Sequence, residues 1–145
     1  MYDQLKLENQ LCFRLYTASR LITQAYRPFF EPLGITYPQY LVLLVLWEHD
    51  NLPVSEITSR LMLETNTVTP LLQRMECEGL IVRTRGTVDT RQRMVSLTKK
   101  GHDMQERAKD IPSCMSKTWE GNHPMVDDMI AMKTTLDNII ETLKR

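Results

Sequence analysis

Val54-Ser55-Glu56-Ile57-Thr58-Ser59-Arg60-Leu61 and, a few residues on, Thr67-Val68-Thr69-Pro70-Leu71-Leu72-Gln73-Arg74-Met75 are the stretches whose reading decides the fold. In the first, Val54, Ile57 and Leu61 recur at helical spacing. In the second, Val68, Leu71, Leu72 and Met75 form one apolar face, while Thr67, Thr69, Gln73 and Arg74 fall on the other. Leu80 to Thr98 then reads as two short strands around the charged turn Arg85-Gly86-Thr87-Val88-Asp89-Thr90-Arg91-Gln92-Arg93. Helix, turn, helix and basic hairpin is the layout of a winged helix. A helix that hides aliphatic residues and presents Thr, Gln and Arg suits a DNA major groove. Pro70 belongs in or beside the first helical turn, so the helix cap is expected near Asn66 or Thr67, and Gly79 is expected to end the helix.

Working outward, charge supports the same use. The 145-residue chain has zero net charge. From Arg83 to Lys100, however, it carries Arg83, Arg85, Arg91, Arg93, Lys99 and Lys100 against Asp89 alone, a local charge of +5 between flanks of −3 and −2. Taken alone, such a patch fits a solvated, aggregation-resistant hairpin as well as a phosphate-binding surface. Placed directly after a helix-turn-helix pattern, DNA is the better account.

The flanking segments read as helices. Leu7 to Tyr26 is amphipathic, with Leu7, Leu11, Leu15, Ile22 and Tyr26 near one stripe. Pro28 and Pro32 are expected to break or kink the chain before Gly34. Thr36-Tyr37-Pro38 then starts a helix that is apolar nearly all round through His49, and therefore buried. Lys99 to Ile111 is a charged helix expected to stop at Pro112, and Asp127 to Leu143 is a last helix with Met129, Met132, Leu136, Ile139, Ile140 and Leu143 at helical spacing. The predicted fold is mainly α with a small β-hairpin wing. It is a single domain, with a DNA-binding part at 36–111 and outer helices at 1–35 and 112–145 that a two-fold dimer would bury. Ordinary intrachain core is the plainer account of the last stripe, but long outer helices have little else to cover in so small a domain. The longest apolar run, Tyr40 to Trp47, is too short for a bilayer, and the N-terminus lacks the basic-then-apolar pattern of a signal peptide. A cytoplasmic protein without a membrane partner is expected.

Leu46 to Thr98 resembles the MarR winged-helix transcription factors, including the wing signature Asp89-x-Arg91-x-x-x-Val95-x-Leu97-Thr98. Leu7-Glu8-Asn9-Gln10-Leu11-Cys12-Phe13-Arg14-Leu15-Tyr16 and Leu33-Gly34-Ile35-Thr36-Tyr37-Pro38-Gln39-Tyr40-Leu41 look like the thiol-based branch typified by the organic hydroperoxide resistance repressors. The resemblance covers all but roughly the last thirty residues. It departs at Glu64-Thr65-Asn66-Thr67, where the branch often has Asp-Ser-Gly-Thr, which bears on the DNA sequence read rather than on DNA binding.

The resemblance implies a homodimer on a pseudo-palindromic double-stranded operator. In it, Cys12 matches the sensor cysteine that peroxide oxidises to a sulfenic acid, and Tyr26 and Tyr37 match phenols that the partner subunit offers to the sulfur. Arg91 matches the wing arginine of the minor groove, with Arg85, Asp89 and Arg93 around it, and Asn66, Thr67, Thr69, Gln73 and Arg74 fall on the major-groove helix. The chemistry is coherent, because the thiolate is the nucleophile and phenol donors stabilise it. Apolar Leu11 and Phe13 would favour an organic hydroperoxide. A small buried core residue is the commonest fate of a free cysteine, and the tyrosines are what tilt Cys12 toward sensing.

Cys77, between Glu76 and Glu78 near a helix end, reads as structural or inert. Cys114, after Ile111-Pro112-Ser113, sits at an expected helix break and is either a resolving thiol or simply exposed. His49, His102 and His123 have no short-range ligand spacing with the cysteines, so neither a metal nor another cofactor is implied. A thiol peroxidase would need a reductant-docking motif such as CxxC, which is missing from this sequence, so an enzyme is not expected. A MarR-type repressor governed by a noncovalent aromatic ligand is the alternative, and its response would survive replacement of Cys12.

Overall fold

The computed structural model describes residues 1–121 and 125–144. Among the described residues, eight α-helices and three short strands follow in the order α1 (Leu11–Ala25), α2 (Arg27–Phe30), α3 (Tyr37–Glu48), β1 (Leu52–Pro53), α4 (Val54–Leu61), α5 (Thr65–Cys77), β2 (Ile81–Arg85), β3 (Arg93–Leu97), α6 (Lys99–Ala108), α7 (Ile111–Glu120) and α8 (Val126–Leu143). Met1–Ile111 and Pro112–Arg145 are separate compact units.

The helix-turn-helix forms as its periodicity requires. Val68, Leu72 and Met75 of α5 are fully buried with Ile57 of α4 and with Val42 and Leu43 of α3. Thr36 caps α3 through a reciprocal pair of bonds. The Gln39 N–H donates to Thr36 Oγ1 at 3.4 Å and the Thr36 N–H donates to Gln39 Oε1 at 3.1 Å, with Pro38 in the first turn. At the other end of α5, Gly79 takes φ +77°, and the Leu80 N–H reaches back to the Met75 carbonyl at 3.0 Å. That left-handed closure is where glycine costs least.

The wing is a three-stranded antiparallel sheet in the order β1-β3-β2, with Arg85 opposite Arg93. The third strand was not predicted. Leu52 and Pro53 join because the Asp50 carboxylate accepts the Leu97 N–H at 2.9 Å and Ser96 Oγ donates to Asn51 Oδ1 at 3.0 Å. Pro53 lies on an edge, where its missing N–H breaks no ladder bond.

Four expectations need correction. The first α-helix begins at Leu11 rather than Leu7, because Gln10 is extended and two 3-10 turns precede it, Asp3–Leu5 and Leu7–Asn9. Side chains compete with the helix there: Gln10 Nε2 donates to the Gln4 and Lys6 carbonyls and Arg14 to those of Glu8 and Gln10. Helix α5 starts at Thr65, capped by Glu64, whose carbonyl accepts from both Thr67 and Val68 at 3.0 Å. Pro70 therefore sits inside the helix, and the Asn66 carbonyl loses its usual donor. Helix α6 ends at Ala108 rather than running to Ile111, and Pro112 lies in the first turn of the next helix, α7, where its ring is tolerated. Finally, α3 is not covered all round, since Leu44 is exposed.

Candidate nucleic-acid interface and thiol site

Helix α5 turns its buried face to the core and leaves Asn66, Thr67, Gln73 and Arg74 exposed, with Thr69 half-buried. Between this helix and the wing lies a cleft of about 670 Å³, lined among others by Thr69, Gln73, Glu76, Arg83, Arg91 and Arg93. Four of the expected DNA residues (Thr69, Gln73, Arg91 and Arg93) thus meet in one place. Asn66, Thr67, Arg74, Arg85 and Asp89 do not line it. Asp89 works on the wing itself, its Oδ1 accepting the Arg91 N–H at 3.0 Å and Arg91 Nε at 3.3 Å, while the Arg91 side chain stays 90% exposed. Gly86 closes the loop, since a Cβ there would stand 2.5 Å from the Asp89 carbonyl oxygen.

Glu76 was not read as a site residue from sequence, and its partner Arg83 was read only as a member of the basic patch. The Arg83 N–H donates to Glu76 Oε2 at 2.8 Å, and its Nη2 and Nε to Oε1 at 3.2 and 3.4 Å. The backbone bond first, then the guanidinium, holds the Glu76 carboxyl below its ordinary range. Only their placement on either side of the Gly79 turn hinted at this meeting.

The end of α5 is clasped from two sides. Gln39, the one buried polar side chain among the described residues, donates from Nε2 to Glu78 Oε2 at 3.1 Å. From α6, Thr98 Oγ1 donates to the Gly79 carbonyl at 2.6 Å and Lys100 Nζ to that of Glu78 at 2.9 Å. Trp47 Nε1 donates to the Gly101 carbonyl at 2.9 Å.

Cys12 is the second residue of α1 and is exposed, flanked by exposed Leu11 and Phe13. Tyr26 and Tyr37 are brought together, ring centroids 5.0 Å apart, in a cluster with Phe30 and Tyr40. Burial first, then the neighbouring phenols, raises the pKa of Tyr26 and of Tyr40 above the ordinary phenol value, so both keep their protons as donors. The structure does not bring Cys12 to this cluster within one chain. They lie at opposite ends of α1, about 20 Å apart along its axis. Cys114 is half-buried, within α7 rather than at a break. Cys77 is exposed, so it fills no core position. His49 and His102 are at the surface, and His123 lies outside the described residues. Among the described residues no three His, Cys, Asp or Glu side chains converge, and no single helix is long and apolar enough to cross a membrane.

A sequence profile of the MarR family matches residues 35–92. The organic hydroperoxide resistance transcriptional regulator of Bacillus subtilis (strain 168) is 44% identical over 142 residues, covering 98% of this chain and 95% of that protein. The chain belongs to the MarR family. Reduced AbfR bound to DNA is 37% identical, with a TM-score of 0.79 over 97% of this chain and 96% of that one. Disulfide-formed AbfR is 39% identical, with a TM-score of 0.67 over 95% of each; the AbfR protein is from Staphylococcus epidermidis. As a MarR-family transcriptional regulator, the chain has its α5 and wing in the winged-helix arrangement of a relative solved on DNA.

Proposed function

We propose that the chain is a homodimeric cytoplasmic repressor that leaves its operator when an organic hydroperoxide oxidises Cys12. The observation that carries this reading is the divided thiol site: an exposed sulfur at one end of α1 and the packed phenols of Tyr26 and Tyr37 at the other. Two copies of α1 running antiparallel would place each sulfur against the partner's Tyr26 and Tyr37. Leu11, Phe13, Leu15 and Leu21 leave that helix with exposed apolar surface, as do Ile130, Met132 and Ile140 on α8, and covering such surface favours association. Residues 1–35 and 112–145 then serve the dimer, and 36–111 reads DNA.

The Cys12 thiolate attacks the terminal oxygen of the hydroperoxide. The S–O bond forms as the O–O bond breaks, and the departing alkoxide takes a proton from water to become the alcohol. The sulfenic acid can then condense with a thiol, either Cys114 or an external one, losing water to give a disulfide. Tyr37 and Gln39 share the first turn of α3, and Gln39 is bonded to Glu78 at the end of α5. Disturbing the phenols therefore shifts the recognition helix. Two rigid heads must match two half-sites together, so a small shift weakens both. Support comes from the relative AbfR, which has been solved reduced on DNA and with a disulfide formed.

The test is intact mass of the protein after one equivalent of cumene hydroperoxide, with a sulfenate-trapping reagent, alongside its mass in solution by light scattering. A dimer modified at Cys12 supports the proposal. A monomer, or oxidation that spares Cys12, would overturn it. A noncovalent aromatic effector has a place in the apolar groove of about 480 Å³ between α7 and α8, lined by Trp119, Met129, Met132, Leu136 and Ile140. Its effect would persist in Cys12→Ser.

A further inference from the structure

Glu76 is the anion in a cleft whose other charged lining residues are three arginines, Arg83, Arg91 and Arg93. A carboxylate there works against phosphate binding, so its presence calls for a physical reason. Its two oxygens are taken up by Arg83 alone among hydrogen-bond donors, through one backbone and two guanidinium contacts. Arg83 lies mid-way along β2, the outer strand of the sheet, where an N–H turned away from β3 has no strand partner. Glu76 supplies that partner from the recognition helix, and it also keeps the Arg83 guanidinium, 22% exposed, folded back onto α5.

We propose that Glu76 is a positioning residue for sequence discrimination: by bonding Arg83 it ties the wing to the recognition helix and withdraws one guanidinium from non-specific phosphate contact. The wing's Arg91 is then presented at one angle relative to Thr69 and Gln73. The inference rests on the cleft being the DNA face. With the tie broken, Arg83 swings free to meet phosphate on any sequence, while the wing loses the register that favours one.

The experiment measures affinity for a duplex from upstream of the protein's own gene and for a random duplex of equal length, each across a salt series, for wild type, Glu76→Gln, Glu76→Gln/Arg83→Gln and Arg91→Ala. Glu76→Gln is expected to bind random DNA more tightly and to release about one more counterion. Its preference for the upstream duplex is expected to fall on the order of tenfold. The double variant should return the random-DNA salt slope to that of wild type, which a merely structural role would not produce. Equal changes on both duplexes, or an unchanged slope, would overturn the proposal. If Arg91→Ala leaves both affinities untouched, it is the cleft's assignment as the DNA face that fails. Thermal melting of each variant confirms that all fold.

Discussion

At residue scale, the tasks divide by what each side chain touches. Arg91 is held at its base by Asp89 and is otherwise open to solvent, so Arg91→Ala removes a phosphate or groove contact without disturbing the core. It is expected to weaken DNA binding by about 1–3 kcal/mol with an unchanged melting temperature. Equal loss of stability and affinity would show that Arg91 is structural. Glu76 has a pH signature. Its carboxyl is lowered in the folded state from an ordinary value of 4.5 by Arg83, so the stability it contributes is present above that value. That contribution is lost as pH falls through the lowered folded value. Denaturant titrations between about pH 5.5 and pH 3 are expected to lose stability more steeply in wild type than in Glu76→Gln. Tyr26 and Tyr40 have the opposite sign of shift. Their protonated forms stabilise the fold below the ordinary phenol value of 10.0, and that stability disappears as pH rises through their higher folded values. Ultraviolet titration should show phenols ionising later than free tyrosine, and Tyr40→Phe should remove one of them.

Among the elements, the contact between α6 and the end of α5 leaves least room. A Cβ on Gly101 would stand 2.2 Å from the Leu80 carbonyl oxygen and 3.1 Å from Leu97 Cδ2. Gly101→Ala must therefore push α6 away from the recognition helix and strain the Trp47 bond. The expected cost is about 2 kcal/mol or more, read by denaturation, with weaker DNA binding. A variant of wild-type stability would contradict that close approach. The same elements mark what sequence could and could not express. The faces of α4 and α5, the Thr36 cap and the Gly79 closure were legible, because each follows from local spacing or from one residue's backbone preference. The start of α1 was not, since side-chain amides of Asn9 and Gln10 win carbonyls that a helix would otherwise use. Nor was the start of α5, where burial of Val68, Leu71 and Leu72 carries the helix past the cost of Pro70. Strand β1 exists through Asp50 and Asn51 bonds to residues more than forty positions away, and such distant pairings leave no periodic trace. Thr69, Gln73, Arg91 and Arg93 were legible as candidates and line one cleft, whereas the parts of Glu76 and Gln39, and the tie that holds Arg83, emerge only once α5 meets its neighbours.

For the whole molecule, the central claim joins one atom of sulfur to two reading heads. In the proposed dimer, the exposed apolar faces of α1 and α8 would be covered by the second copy, and the phenols at the far end of α1 would meet its sulfur. In that proposal the Gln39–Glu78 bond is the mechanical link, so Gln39→Leu is expected to leave oxidation of Cys12 intact while shrinking the DNA response to it. The most direct measurement is fluorescence anisotropy on DNA from upstream of the protein's own gene. It is read before and after stoichiometric organic hydroperoxide, for wild type and Cys12→Ser, with dithiothreitol added last. The account predicts that wild type leaves the DNA and returns with reductant, while Cys12→Ser stays bound throughout. Tight binding by both proteins that peroxide does not alter would contradict the thiol switch and leave a DNA-binding regulator with a different signal.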